Sequence, residues 1–355
     1  MPLSTEPGIS QEELRLAARN HGLPLEALRW PITPVGLHYL LIHYDVPVVD
    51  PADFLLEVGG TVEQPLVLTL DELRTRPAVE IVSTFECAGN GRALLEPRPV
   101  SQPWLLEAVG TARWRGVPLA ALLEDAGPSS DAVDVVFAGL DRGVEGEIEQ
   151  RYERSLPVTE AMGAGCVVAY EMNGAPLPPQ HGYPLRLVVP GWYGMTNVKW
   201  LSKIRVLEEP FAGYQVAAGY RIRQTEEEEG SPVTRMRPRS LMAPPGIPQF
   251  ETRDRIAERG SHLLEGRAWS GRAPIARVEV SVDDARTWAD ALLSRDFPDP
   301  HAWCGWSFQW EATPGDHVLC SRATDETGDT QPLDPLWNLG GYENNAVQRV
   351  RVHVD

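Results

Sequence analysis

The sequence predicts an α+β protein in which a region of mixed strands and helices precedes a region of strands alone. From residue 31 to about residue 205, short runs of strand character alternate with helical pieces, and after residue 248 only runs of alternating apolar and polar residues remain. The length of 355 residues favours two domains. We therefore divide the chain into an N-terminal helical extension (1–30), a first domain (31–235) and a second domain (245–355).

The N-terminal extension predicts one peripheral helix. Ser10 is a capping residue followed by glutamates, and apolar residues recur at helical spacing up to Asn20. The first ten residues lack a basic region, an apolar core and a twin arginine, and no later run is long and apolar enough to cross a bilayer. The sequence therefore predicts a cytoplasmic protein with no membrane partner.

In the first domain, the apolar run Val79–Phe85 predicts a buried strand, and Leu185–Val189 predicts another that ends at Pro190. Helical pieces are expected at Pro118–Glu124 and Thr159–Met162. The acidic run Glu226–Pro232 predicts a solvated loop because its charges repel one another.

The segment Arg235–Pro248, rich in proline and arginine, is interpreted as the connection between the domains. Beyond it, several short strands separated by turn residues predict a β-sandwich. The predicted strands are Gly266–Ser270, Ala276–Val282, Trp306–Trp310, His317–Ala323 and Val347–Val354.

Composition narrows the possible partners. The formal charge of -18 argues against nucleic acid, because no broad basic face is available to offset phosphate repulsion. The same acidity suits a basic electron-transfer partner, or simply solubility. The four cysteines form no Cys-x-x-Cys pair, so neither a zinc finger, a disulfide scaffold nor attached c-type haem is indicated.

The most informative segment is Thr84–Arg92, TFECAGNGR, which places Cys87 where a predicted strand ends and a glycine-rich loop opens. Arg92 is expected to lower the pKa of the thiol and so favour the thiolate, the form that acts as nucleophile or metal ligand. A buried, inert cysteine is the alternative. It is less consistent with a Gly-Asn-Gly loop and a nearby arginine.

A second motif runs from Ala169 to Gly191 and continues at Asn197–Leu201. Arg186 can offer a planar fork to a phosphate, and Lys199 adds a compact ammonium beyond a glycine-rich loop. These residue types are typical of a pocket for an anionic ligand.

The two motifs resemble those of the sulfite oxidase family, in which the cysteine of a Cys-Ala-Gly-Asn-Arg-Arg signature ligates molybdenum. The resemblance covers the chain after about residue 30 and includes Gly110–Trp114. It implies a sulfite-oxidase-like molybdopterin-binding domain followed by an immunoglobulin-like dimerisation domain, and a molybdenum-molybdopterin cofactor. Cys87 would be the metal ligand. The residues implied as cofactor contacts are Asp141, Ser155, His181, Arg186, Asn197 and Lys199.

The resemblance also implies a substrate pocket. Tyr220 lies at the spacing of the family's active-site tyrosine, Trp104 matches a pocket tryptophan, and Arg92 is the arginine of the cysteine loop. Two of the family's anion-binding arginines are replaced here, by His43 and by Gly340. Protonated His43 would restore part of the attraction for an anion.

The implied reaction is a two-electron oxygen-atom transfer on a small oxyanion or oxide, but losing two cations should weaken sulfite binding. Reduction of a less charged S- or N-oxide is the alternative within the family. Electrons are expected to pass to or from a separate electron-transfer protein or a diffusible acceptor, and a homodimer is expected.

Two further alternatives stay open. A metal-free enzyme would use Cys87 as nucleophile with His181 as base, although this assigns no task to Arg186 or Lys199. A non-catalytic protein would keep the fold as a dimeric binding module.

Overall fold

A computed structural model describes residues 8–163 and 165–355. Residues 1–7, and with them most of the segment used to predict the absence of a targeting signal, lie outside the described residues, as does Ala164. Among the residues described, no helix has the length and apolar character needed to span a membrane.

The described chain is rich in strands and has few, short helices. Up to residue 234 its helices are α1 (Gln11–Ala17), α2 (Leu70–Thr75), α3 (Leu119–Ala126), α4 (Val158–Ala161) and α5 (Tyr214–Ala217). Over the same residues its strands are β1 (Leu55–Gly60), β2 (Leu66–Thr69), β3 (Val79–Glu86), β4 (Val109–Pro118), β5 (Asp134–Glu145), β6 (Ile148–Pro157), β7 (Val167–Met172), β8 (Ala175–Pro176), β9 (Arg186–Val188), β10 (Leu201–Leu207), β11 (Arg221–Ile222) and β12 (Ser231–Pro232).

From residue 235 onward the described elements are strands. They are β13 (Arg239–Ala243), β14 (Ile247–Pro248), β15 (Arg255–Ala257), β16 (Gly260–Trp269), β17 (Ile275–Ser281), β18 (Ala289–Asp290), β19 (Leu292–Ser294), β20 (Cys304–Ala312), β21 (Gly315–Asp325) and β22 (Gln348–Val354). Short 3-10 helices lie at Leu25–Arg29, Val35–Leu37, Arg92–Leu94, Pro179–His181 and Gly194–Thr196.

The chain forms two compact units that do not follow chain order. The central unit comprises residues 40–82 and 112–234, and the C-terminal unit comprises residues 8–39, 83–111 and 235–355. The structure therefore groups the N-terminal segment and the Cys87 loop with the C-terminal strands, whereas the predicted domain limits set them apart.

The central unit is built on a five-stranded sheet of order β2-β1-β10-β5-β6, in which only the β1–β10 pair is parallel. A second sheet pairs β7 with β4, β8 and β9. Leu56 and Val58 of β1 and Ile204 of β10 share one core with Leu122 of α3 and Val168 of β7. This core fixes the loops at the ends of β5, β9 and β10.

Two hairpins of the central unit turn through two-residue loops in which both residues have positive φ, the pattern of a type I′ turn. Asn173 and Gly174 connect β7 to β8, with φ of 53° and 79°. Gly146 and Glu147 connect β5 to β6, with φ of 59° and 62°, and Glu145 pairs with Ile148 to close the hairpin. The second hairpin places Glu145 at a well-defined position.

In the C-terminal unit, a four-stranded sheet of order β13-β16-β20-β19 and a six-stranded sheet of order β14-β15-β22-β21-β17-β18 share one core. Leu264 and Trp306 come from the first sheet, and Val280, Leu319 and Val352 come from the second. Two sheets with a common core agree with the predicted layered arrangement of strands.

The interpretation of Arg235–Pro248 as a linker was wrong. Arg239–Ala243 is a fully buried strand that pairs with β16. A charged arginine is unfavourable in a protein core. Arg239 is tolerated in this strand because it forms a buried ion pair with Glu86.

Most other predicted elements are confirmed. Ser10 caps α1 through a capping box with Glu13. The predicted strand at Val79–Phe85 is β3, and the helical piece at Pro118–Glu124 is α3. Glu226–Pro232 is exposed and is mostly loop.

Candidate active site

The Cys87 loop of the C-terminal unit is held by its own backbone. Cys87 directly follows β3, and its N–H donates to the Ala108 carbonyl at 2.9 Å. The Asn90 N–H donates to the Cys87 carbonyl at 2.9 Å, while the Asn90 side chain accepts from the Ala108 N–H and donates to the Leu106 carbonyl, both at 3.1 Å. These bonds leave the thiol on a loop with little freedom.

Arg92 is buried beneath this loop, with 4% of its surface exposed. Its Nε donates to the Gly340 carbonyl at 2.9 Å, and its guanidinium lies 5.1 Å from the centre of the Tyr342 ring. A Cβ at Gly89 would lie 2.6 Å from the guanidinium carbon, so the glycine is needed for the close approach of Arg92.

The expectation that Arg92 would produce a low thiol pKa was wrong in its net result. Burial raises the pKa of the Cys87 thiol above its ordinary value, although Arg92, the Gly89 N–H and the Trp104 indole each act to lower it. Desolvation of the thiolate outweighs one nearby guanidinium.

Glu86, the residue before Cys87, anchors the loop to the core of the C-terminal unit. One carboxylate oxygen accepts from Arg239 and, at 3.0 Å, from the Asn90 side chain, while the other accepts from the Trp269 indole at 2.9 Å. Glu86 and Arg239 are exposed by only 2% and 1%. A charged residue this deep is tolerable because both of its oxygens are bonded.

In the central unit, two cations of the second motif lie close enough to affect each other. The Lys199 ammonium donates to the carbonyls of Leu41 and Gln180 at 2.8 and 3.1 Å. Arg186, which is 5% exposed, lies over the Trp114 ring at 4.7 Å. Desolvation, and then repulsion from Arg186, lower the pKa of Lys199 to about 7. An anion beside these two groups would relieve both effects.

Asp141 lies beside the cation pair. Its Oδ1 is buried and accepts no hydrogen bond from any residue that the structure describes. Burial raises the pKa of Asp141 to about 6, although Lys199 and His43 act to lower it. A Cβ at Gly139 would lie 2.4 Å from this oxygen, so the chain keeps a glycine there. Asp141 is available to accept a hydrogen bond from a bound ligand.

His181 and Asn197 position Arg186 through their carbonyls, which accept from its guanidinium at 3.0 and 3.2 Å. The Asn197 side chain in turn accepts from the Val189 N–H at 2.7 Å. The structure thus brings together five of the six residues predicted to contact the cofactor.

Ser155 is the exception. Its neighbours Arg154 and Leu156 are buried, and because side chains alternate along a strand, Ser155 lies on the other face of β6. That face also carries Glu153, which pairs with Arg205 at 3.1 Å. Among the described residues no contact joins Ser155 to the cation pair, and its role as a cofactor contact stays a prediction.

His43 belongs to a polar cluster that also includes Tyr44, Glu145 and Gln215. Glu145 Oε2 is within hydrogen-bond distance of all three other residues. It lies 2.9 Å from His43 Nε2, 3.2 Å from the Tyr44 hydroxyl and 2.7 Å from Gln215 Nε2. Burial acts to raise the pKa of Glu145. The hydrogen bond and charge of His43, followed by the hydrogen bonds of Gln215 and Tyr44, act in the opposite direction and outweigh it, so the pKa is below its ordinary value. Glu145 is therefore a carboxylate at neutral pH.

Tyr220 lies next to this cluster, with its ring centre 6.5 Å from that of His43. The Arg154 guanidinium lies 5.3 Å from the Tyr220 ring centre. The backbone of Tyr220 has a φ of 50°, which is unusual for a tyrosine. His43 and Tyr220, both predicted to be active-site residues, thus lie close together.

Gly340 lies where the resemblance expects an arginine. An added Cβ would be 2.3 Å from the Tyr342 ring, and the Gly340 carbonyl already accepts from Arg92. The backbone here has no room for a side chain.

The chain has relatives among known proteins. Residues 43–215 match the family model for the oxidoreductase molybdopterin binding domain, and residues 246–355 match that for the Mo-co oxidoreductase dimerisation domain. The chicken sulfite oxidase is 33% identical over 341 residues, covering 90% of this chain and 72% of that protein. The chain belongs to the sulfite oxidase family.

Other members of the family differ in length and activity. The human mitochondrial sulfite oxidase is 34% identical over 91% of this chain, which spans 62% of that protein. The tomato NADH nitrate reductase is 32% identical over 99% of this chain and 40% of its own length. The crystal structure of the sulfane dehydrogenase SoxCD from Paracoccus pantotrophus matches with a TM-score of 0.82 and 26% identity, covering 100% of this chain and 90% of that one.

The residues present fit the molybdopterin cofactor of the family. Lys199 and Arg186 form a partly desolvated cation pair suited to a phosphate, and the buried Asp141 oxygen can accept from a pterin N–H. Cys87 carries a sulfur atom of the kind that a soft metal prefers as a ligand.

Sequence reasoning missed Glu145, Gln215 and Arg154. Only Glu145 had a local signal, since it precedes a Gly-Glu loop between two strand-like runs. Gln215 reaches the cluster from 70 residues beyond Glu145, and no local pattern marks it.

Proposed function

We propose that this protein is a molybdenum-dependent oxidoreductase that catalyses two-electron oxygen-atom transfer, with Cys87 as the protein ligand of the metal. The observation that carries the proposal is the pairing of Lys199 with Arg186, whose mutual repulsion and desolvation favour a bound anion. The molybdenum-molybdopterin group, when bound, supplies the two-electron exchange and the transferable oxygen.

The roles of the surrounding residues follow from their contacts. Arg186 and Lys199 bind the phosphate, and Asp141 orients the pterin by accepting a hydrogen bond. His181 and Asn197 hold the guanidinium of Arg186 in place. Tyr220 donates its hydroxyl proton in a hydrogen bond to the substrate, and His43 orients the same substrate.

A less anionic substrate than sulfite is supported by the cluster around His43. Where the resemblance expects an arginine, His43 is bonded to the carboxylate of Glu145, and Gly340 leaves a second cation missing. This arrangement favours, as a second candidate, the reduction of an S- or N-oxide.

The proposal extends to partners. Residues 246–355, proposed to form an immunoglobulin-like sandwich, would pair two chains, in line with the matched dimerisation domain. Electrons would reach or leave the site through a separate electron-transfer protein or a diffusible acceptor, in the cytoplasm.

The test uses protein made in a host that synthesises the cofactor. Molybdenum near one atom per chain is expected, together with turnover of sulfite, a sulfoxide or an N-oxide with artificial donors or acceptors. Lys199→Ala should lower molybdenum content, because it removes charge from the phosphate site. Lys203→Ala is the control, since Lys203 is 46% exposed and pairs with the exposed Glu57. A wild-type protein without molybdenum would contradict the proposal.

A further inference from the structure

Glu145 presents one carboxylate oxygen that the cluster leaves unused. His43, Tyr44 and Gln215 all reach Oε2, and no donor from the residues that the structure describes is recorded at Oε1. The Glu145 side chain is 37% exposed, so a ligand can approach it. An ionised carboxylate has room for about four hydrogen bonds, which leaves capacity for another donor.

The position of this oxygen is fixed by the fold. Glu145 closes the two-residue hairpin between β5 and β6, and a Cβ at Gly146 would lie 2.8 Å from the Tyr214 ring. Gln215, which is 2% exposed, donates to Glu145 and to the Tyr44 hydroxyl, at 2.7 and 2.9 Å. A rigid carboxylate can discriminate between ligands because it does not move to avoid an unsuitable one.

The cluster lies near the residues proposed to hold the cofactor. The charge of His43 acts on Asp141, which in turn interacts with Lys199, and all of these residues belong to the central unit. Tyr220, the proposed donor to the substrate, lies 6.5 Å from His43 between ring centres. A substrate that reaches Tyr220 therefore lies close to the Glu145 cluster.

The charges facing the cluster determine what it can accept. His43 lies 2.9 Å from the Glu145 carboxylate, and Asp141 contributes a second acidic group. Arg154, 4% exposed, supplies positive charge but donates to the Gln215 carbonyl and lies against Tyr220. A doubly charged anion at the free oxygen would be repelled by the Glu145 carboxylate, whereas a cationic or hydrogen-bond-donating group finds an acceptor there.

We infer that Glu145 is a specificity-determining residue whose free oxygen binds an ammonium or other donor group of the substrate, so that the enzyme selects oxides that carry such a group. This inference deepens the proposed function and rests on it. The residue acts on binding, and the oxygen-atom transfer itself is left to the cofactor.

The experiment compares matched probes, 2-(methylsulfinyl)ethylamine, which carries an ammonium at neutral pH, and ethyl methyl sulfoxide, which does not. Binding is measured by calorimetry and turnover by steady-state kinetics, on the molybdenum-loaded protein and on Glu145→Gln. We expect the variant to bind the ammonium probe about 10- to 100-fold more weakly, as for loss of a charge-assisted hydrogen bond. Binding of the uncharged probe should not change, and sulfite should bind more tightly.

Glu149→Gln is the matched control, because Glu149 lies at the start of the same hairpin's second strand, is 69% exposed and pairs only loosely with Arg142 at 3.5 Å. The inference would be overturned if Glu145→Gln weakened binding of both sulfoxides equally or changed the binding of neither. It would also be overturned if Glu149→Gln weakened binding of the ammonium probe as much as Glu145→Gln does. Absence of binding by the ammonium probe to the wild type would also overturn it. Absence of molybdenum or of any turnover would instead contradict the proposed function, because calorimetry tests Glu145 independently.

Discussion

At the scale of single residues, Cys87 is distinguished from the other three cysteines by its loop. We predict that Cys87→Ser loses turnover while the fold is retained, because a hydroxyl is a poor ligand for a metal that prefers thiolate. Turnover, molybdenum content and thermal unfolding are the measurements. Cys166→Ser is the control, since Cys166 Sγ contacts the Glu160 carbonyl at 3.8 Å and a serine can donate the same bond. A serine variant at position 87 with wild-type turnover would remove the ligand assignment.

Asp141 and Lys199 should make the stability of the cofactor-free protein depend on pH. The folded pKa of Asp141, about 6, is above its ordinary value, so its ionisation costs stability as pH rises to 6. The folded pKa of Lys199, about 7, is below its ordinary value, so its charge costs stability below 7 and the cost fades as pH rises towards 10.5. Between pH 6 and 7 the protein therefore bears both the cost of ionised Asp141 and the cost of charged Lys199.

The double variant Asp141→Asn with Lys199→Met should therefore be more stable than the wild type in this window, by on the order of 2 kcal/mol after allowing for partial exposure. Urea unfolding of cofactor-free protein at several pH values measures the difference. A difference that stays constant from pH 4 to 10 would show that neither group is strained by burial.

At the scale of elements, the end of β3 is fixed by one buried ion pair. Glu86→Gln should lower the free energy of unfolding by about 3 to 5 kcal/mol, because it leaves the Arg239 charge buried without its partner. Glu80→Gln on the same strand is the control, since Glu80 and Arg113 are both 45% exposed and should contribute less than about 1 kcal/mol. The free energies are measured by chemical unfolding. If the two variants lost equal free energy of unfolding, the contribution of Glu86 would not depend on its burial.

These elements also show how much of the fold could be predicted from the sequence. The capping box of α1, the run that became β3 and the alternating strands after residue 248 were predictable because their signals lie within a few residues. The strand β13 was mistaken for a linker because its buried Arg239 depends on a glutamate 153 residues away. Glu145 was overlooked for the same reason, since its partner His43 is 102 residues distant. The ordered motifs led to five residues that the structure brings together, Asp141, His181, Arg186, Asn197 and Lys199, whereas Ser155 alternates to the other face of β6 from its buried neighbours.

At the scale of the whole molecule, we predict a homodimer that forms through residues 246–355, because these residues match the dimerisation domain of the family. Light scattering on the loaded protein at micromolar concentration should give twice the chain mass of 39.2 kDa. A chain-sized species under these conditions would contradict the prediction.

The grouping of the Cys87 loop with the C-terminal strands has a consequence for biosynthesis. Glu86 bonds to Trp269, and Arg92 bonds to Gly340, residues that lie 183 and 248 positions later in the chain. A nascent chain that has emerged from the ribosome only as far as the central unit therefore carries its cysteine on a segment whose native partners have not been translated. Contacts so distant in sequence form late in folding. We therefore expect the proposed metal insertion at Cys87 to follow translation, and premature termination before Gly340 to yield a polypeptide that retains the thiol but lacks the contacts that hold it.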